Sequence, residues 1–106
     1  MKTLILVRHA KSSWKDSFLA DIDRPLNKRG QRDAPKMSAH LYEMGFRPDC
    51  VVSSPSRRTM DTVVFFKNDF KWREHQLVED PRLYHGDPED INEVLASIGN
   101  DTNTVM

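Results

Sequence analysis

Thr3-Leu4-Ile5-Leu6-Val7-Arg8-His9-Ala10 decides the fold of this 106-residue chain. The run from Thr3 to Val7 is continuously apolar and stops abruptly at Arg8. A short unbroken apolar run predicts a strand buried on both faces of a parallel sheet, because a half-buried strand would alternate instead. Ligands of open α/β sheets bind outside the carboxyl ends of the strands. Arg8 and His9 are therefore predicted to emerge at the binding edge.

Cys50-Val51-Val52 repeats the arrangement. Asp49 to Ser53 predicts a second strand, and Ser54-Pro55 reads as an N-cap followed by proline at the first helical position. Arg57 and Arg58 then fall in the first turn, and Val63, Phe66 and Phe70, with Thr59 and Thr62, supply the buried face. A helix N-terminus attracts anions through its free N–H groups and its dipole. Planar guanidiniums pair two donors with two phosphoryl oxygens. Two strand ends thus deliver one imidazole and several guanidiniums to one rim, and phosphate is the anion that fits. Taken singly, a histidine after a strand is more often a surface residue and an Arg-Arg pair a solvated helix face. The joint pattern carries the reading.

Outward from these two units the signals are more ordinary. Residues 11 to 27 carry Trp14, Phe18, Leu19 and Pro25 without a period and read as mostly loop. Asn27 caps a helix with Gly30 in its first turn. Met37, Leu41 and Met44 form its apolar face, and Gly45 ends it. Pro35 leaves two readings, a helix kinked there or one that begins near Asp33. Leu77-Val78 predicts a short third strand. Asp87-Pro88-Glu89-Asp90 is a helix start with acids in the positive first turn. Ile91, Val94, Leu95 and Ile98 follow at helical spacing, Gly99 closes that helix, and Thr104-Val105-Met106 opens another strand. Strands alternating with helices predict an α/β layered fold with a largely parallel sheet, residues 1–106 forming a single domain.

Sixteen Lys+Arg balance sixteen Asp+Glu, a formal net charge of zero. That balance argues against a partner such as nucleic acid or an anionic membrane surface. No apolar run approaches the roughly 18 residues of a membrane span, and the start at Met1-Lys2-Thr3 does not form a signal peptide. Cys50 is the only cysteine, which excludes an internal disulfide and fits a reducing, cytoplasmic compartment. Beside Val51 and Val52 it reads as a small buried hydrophobe rather than a nucleophile. His9, His40, His75 and His85 lack the spacing of a zinc site, so no metal is expected. Trp14 and Trp72 read as core aromatics rather than base-stacking platforms.

Leu4-Ile5-Leu6-Val7-Arg8-His9-Ala10-Lys11-Ser12 resembles the signature of the histidine phosphatase superfamily, in the variant with alanine after the histidine. Asp23-Arg24-Pro25-Leu26-Asn27, Gly30, Arg32-Asp33-Ala34 and Ser53-Ser54-Pro55 with Arg58 and Thr62 continue the match. Leu83-Tyr84-His85 with Pro88-Glu89-Asp90 extends it over nearly the whole chain. The branch it is most similar to is the bacterial phosphohistidine phosphatases of the SixA type. The resemblance implies a three-layer α/β/α, phosphoglycerate mutase-like fold. It also implies a metal-independent phosphatase without cofactor, acting on a protein phosphohistidine (a His-phosphorylated domain) or on a small phosphoester.

In that resemblance His9 is the nucleophile and becomes a phosphohistidine, Arg8 orients the phosphoryl oxygens and Arg58 sits across from it. Ser12, Lys11 and Arg57 are implied substrate contacts. Glu79 and Asp80 are the candidate acids for the leaving group, with Glu89 a more distant one. One departure stands out. The family carries a second histidine, in a Gly-His stretch after a later strand, and Thr104-Val105-Met106 opens that strand as the sequence stops. His40, His75 and His85 do not stand in the matching context. The sequence is therefore expected to be the N-terminal portion of the family's domain, a fragment or shortened gene product missing its C-terminal part. The rival reading is a non-catalytic phosphate-binding or interaction module, which would bind phosphate without an acid-labile label on His9. A mutase would need a larger substrate pocket and a clear acid.

Overall fold

The short apolar runs and the amphipathic stretches between them form four strand segments and three helices in a computed structural model that describes residues 1–106. The strands are β1 Thr3–Leu4, β2 Val51–Ser53, β3 Leu77–Glu79 and β4 Thr104–Val105, and the helices are α1 Lys28–Glu43, α2 Arg57–Phe70 and α3 Pro88–Ala96. β1 pairs in parallel with β4, and β2 in parallel with β3. A parallel bridge between Cys50 and Val105 joins the two pairs. Met106 N donates to Cys50 O at 3.0 Å and Val52 N to Met106 O at 2.9 Å, so β4 lies between β1 and β2. The order across the sheet is β1-β4-β2-β3, the parallel α/β arrangement expected from the alternation of elements.

The first apolar run is less buried than its composition predicts. Leu4, Leu6 and Val7 are 45%, 74% and 39% exposed. Pairing with β4 extends only to Ile5 N donating to Val105 O at 2.7 Å, and Leu6 to Arg8 continue past Met106 without a ladder partner. Leu4 to Val7 open onto a cavity of about 300 Å³, whose lining also includes Val52, Phe66 and Leu95. Burial of a strand depends on the elements packed against it, which the run's own hydrophobicity does not report.

α1 begins at Lys28, where the Asn27 side chain accepts from Gly30 N at 2.8 Å, and it runs past Pro35 to Glu43. A start near Asp33 is thus set aside. Its buried stripe is Gly30, Ala34 and Ser38, whereas Met37 and Met44 are 52% and 56% exposed. Small side chains on that stripe let α1 lie close against its neighbours, Gly30 against the Lys11 backbone and Ser38 against α2. The Ser38 hydroxyl reaches Asp69 at 2.6 Å and the Phe65 carbonyl at 3.2 Å, which offsets the cost of burying it.

α2 starts one residue after Ser56, not after Ser54, so Ser54-Pro55 is the link from β2 rather than the cap. Phe66 projects from α2 onto Val51 of β2 and Trp72, and Leu41, Val63, Phe70, Leu77 and Met106 close around them. Burying Phe66 contributes about 1.5–3 kcal/mol. Trp72 is core as expected, but Trp14 is 75% exposed and lies under the Arg24 guanidinium, 3.2 Å from its ring centroid. α3 starts as read: Pro88 takes the first turn, and the Asp87 and Asp90 side chains each accept the other's backbone N–H. The helix ends at Ala96, before Gly99. No helix is long and apolar enough to cross a membrane.

Candidate active site

His9 is half-buried where the first apolar run leaves the sheet, and its Nδ1 lies 2.7 Å from the Ala10 carbonyl oxygen. A carbonyl can only accept, so this contact places a proton on Nδ1 and makes Nε2 the ring nitrogen left without a protein partner. The next backbone group is fixed to α2. Ala10 N donates to Thr62 Oγ1 at 3.1 Å, and the Thr62 hydroxyl donates to the Arg58 carbonyl at 2.9 Å. One buried hydroxyl thus ties the segment carrying His9 to the helical turn carrying Arg58. Arg8 and His9 line one cavity with Ser53, Ser54, Thr59 and Thr62.

That hydroxyl is testable without altering side-chain shape. Thr62→Val keeps the volume but leaves the Ala10 amide without its acceptor. We expect a loss of about 1–3 kcal/mol in stability, read from the urea midpoint. An unchanged midpoint would show that water or another group takes over the bond.

Arg58 is 9% exposed, so its charge needs a counterion. The counterion is Asp21. Arg58 Nη1 donates to the Asp21 carbonyl at 2.8 Å and Nη2 to Asp21 Oδ2 at 3.1 Å. Asp21 Oδ2 also accepts from Tyr84 Oη at 2.6 Å and lies 3.1 Å from His85 Nε2, while Oδ1 accepts from Arg24 Nη1 at 3.0 Å. The Tyr84 hydroxyl first, then Arg24, hold the Asp21 carboxyl far below the usual carboxylate range against desolvation, and Arg58 adds a smaller pull in the same direction. The same bond pushes the Tyr84 phenol up, keeping it a donor. Arg24 continues the network toward His9, with Nη2 donating to Ser12 Oγ at 2.6 Å and Nε to Ser13 O at 2.9 Å.

The residues singled out from sequence are thus distributed unevenly. Arg8 and His9 line one cavity, Arg58 is tied to their segment through its carbonyl and Thr62 while its guanidinium meets Asp21, and Ser12 is the acceptor for Arg24. Lys11 is exposed, and its carbonyl accepts from Asn27 N at 2.9 Å. Arg57 points to solvent, 3.8 Å from Asp61 one turn on. Asp80 caps the turn Pro81–Leu83 through Arg82 N and pairs with the Arg82 guanidinium at 2.7 Å. Arg82 holds its carboxyl below the usual range, which leaves no proton to donate near neutrality. Glu79 is exposed at the end of β3, level with Ser53 and without a side-chain partner. The Cys50 thiol is pushed up by desolvation and by Asp49, which keeps it protonated and a poor nucleophile.

Asp21, Arg24, Tyr84 and His85 were not read as site residues. The signal available was indirect: a buried arginine requires a carboxylate, and the loop before Arg24 offers only Asp16, Asp21 and Asp23. Choosing among them takes three dimensions.

Comparison with known proteins follows the same outline. A chloroplastic protein of Arabidopsis thaliana is 47% identical over 62 residues, 58% of this chain and 28% of its own length. A 2,3-bisphosphoglycerate-dependent phosphoglycerate mutase of Gloeothece citriformis is 33% identical over 73 residues, 67% of this chain and 31% of that protein. Among solved structures, the proposed phosphohistidine phosphatase SixA of Agrobacterium tumefaciens superposes with a TM-score of 0.88 at 26% identity, over 97% of this chain and 65% of that one. The matches to the curated relatives thus cover about three-tenths of their length, and the solved structure is covered for under two-thirds. The family model of the histidine phosphatase superfamily (branch 1) matches residues 4–93, and this chain belongs to that superfamily.

Proposed function

We propose that the chain carries the nucleophilic half of a metal-independent phosphatase that works through a phosphohistidine on His9. The observation that carries the reading is an imidazole whose Nδ1–H is committed to the Ala10 carbonyl, leaving Nε2 as the free ring nitrogen, on a segment tied to the Arg58 turn through Thr62. In the first step the Nε2 lone pair forms a bond to phosphorus as the bond from phosphorus to the leaving group breaks. Arg8 and Arg58 face the phosphoryl oxygens, where donors aimed at developing charge lower the barrier by a few kcal/mol each. The leaving group takes up a proton from solvent water, with Glu79, exposed beside Ser53, as the candidate to relay it. Water then attacks phosphorus as the Nε2–phosphorus bond breaks; its protons leave with the phosphate or to solvent, and His9 returns to its starting tautomer.

A protein phosphohistidine is the substrate this reading favours, with a small phosphoester as the second choice. The likeness to a proposed phosphohistidine phosphatase supports it, as does an Arg8 exposed at the rim, where a bulky protein substrate has access. The test measures inorganic phosphate released from a phosphohistidine-bearing protein and from p-nitrophenyl phosphate, each with excess chelator. Release from the phosphoprotein that withstands the chelator is expected. Phosphate binding without release from either substrate would overturn the catalytic reading.

A further inference from the structure

A carboxylate within a cluster of arginines built to receive an anion needs a reason, since it repels the ligand those arginines attract. Asp21 is such a group. It meets Arg58, Arg24, Tyr84 and His85, which come from α2, from its own loop and from the segment after β3. We propose that Asp21 is a positioning residue of the phosphate site, holding the Arg58 guanidinium by one edge and leaving its remaining donors for the oxygens of a phosphate. The inference rests on the phosphohistidine reading above.

The geometry carries it in two steps. A guanidinium has five N–H donors in a rigid plane. The Asp21 carbonyl takes one on Nη1 at 2.8 Å and Asp21 Oδ2 takes one on Nη2 at 3.1 Å. A single bond would leave the plane free to rotate; two bonds from one residue fix it and leave three donors for an oxyanion. Asp21 is itself immobilised, by the Tyr84 hydroxyl at 2.6 Å on the same oxygen and by Arg24 at 3.0 Å on the other. Arg24 is fixed in turn by Ser12 and Ser13, three and four residues beyond His9. Asp21 therefore registers Arg58 against the segment that carries the nucleophile. Pre-organised donors of this kind lose little entropy when an anion arrives.

Simple charge neutralisation makes the opposite prediction, which gives the experiment its sign. If Asp21 only offsets charge, Asp21→Asn exposes an arginine and phosphate binds more tightly. If Asp21 positions Arg58, the same substitution weakens binding. We would titrate inorganic phosphate into the unmodified chain and into Asp21→Asn, Arg58→Ala and the double variant, following binding by calorimetry and folding by thermal melting. Asp21→Asn is expected to weaken binding by about tenfold, the loss of one charge-assisted hydrogen bond. In the Arg58→Ala background it should change affinity by less than about twofold, because a residue that acts through another has no effect without it. Tyr84→Phe, which keeps the Asp21 charge but removes its shortest tether, should weaken binding by about threefold and serves if Asp21→Asn does not fold. Equal or tighter binding by the folded variants, or an undiminished loss without Arg58, would overturn the proposal. Failure of the unmodified chain to bind phosphate would instead overturn the phosphohistidine reading, and this inference with it.

Discussion

His9→Ala should abolish phosphate release, lowering the rate by roughly 10³-fold or more, because His9 is the one imidazole that lines the cavity. The Cys50 thiol, the nearest rival in chemistry, is held protonated and lies before β2 rather than after β1. The acid-labile phosphoryl label, trapped by rapid denaturation and detected by mass, should vanish with the imidazole. Binding of inorganic phosphate should change by less than about threefold, because Arg8 and Arg58 supply the charge-assisted contacts. The split is the informative part. Lost turnover with retained binding assigns His9 to chemistry, whereas parallel loss of both would mean that the substitution had collapsed the pocket. Continued release by the folded variant would remove His9 from the mechanism.

The residues of that experiment were legible in sequence because each is announced by a local transition. An apolar run that stops at Arg8-His9 places both beyond the carboxyl end of β1, and Arg58 is placed by the helix that follows β2. Asp21 was not legible, because its bonds to Arg58 and Tyr84 span 37 and 63 residues and no local period reports them. The face of α1 shows a different failure. The helical spacing was correct, but its phase was taken from the largest apolar side chains, Met37 and Met44. Close approach of α1 to its neighbours selects small residues, Gly30 against the Lys11 backbone and Ser38 against α2, and these carry little hydrophobic signal. The start of α2 was displaced because Ser54-Pro55 offers the same capping chemistry as Ser56, and only the backbone distinguishes them. Asp80 and Glu79 illustrate a last limit, since adjacent acids look alike until Arg82 claims one of them.

The small residues of α1 lead to the second large effect. A Cβ at Gly30 would collide with the Lys11 carbonyl oxygen and come within 3.0 Å of the Lys11 nitrogen and 3.1 Å of its carbonyl carbon. All three are backbone atoms, which cannot swing aside as a side-chain tip would. The Lys11 carbonyl is also engaged, accepting from Asn27 N at 2.9 Å, and Ser13 N donates to Pro25 O at 2.8 Å two residues on. Alanine is worth up to about 1 kcal/mol over glycine in a helix interior, so an unobstructed site would be stabilised by Gly30→Ala. Here the clash should outweigh that gain, and we expect a net loss of about 1–3 kcal/mol, the usual range for overpacking. The displaced atoms begin two residues after His9, so phosphate affinity should fall in the same variant even where it remains folded. Gln31→Ala, on the exposed side of the same turn, is the control and should leave both stability and binding unchanged. A Gly30→Ala protein as stable as the parent would mean that the Lys11 segment yields easily. The approach of α1 to that segment would then not be what holds His9 in place.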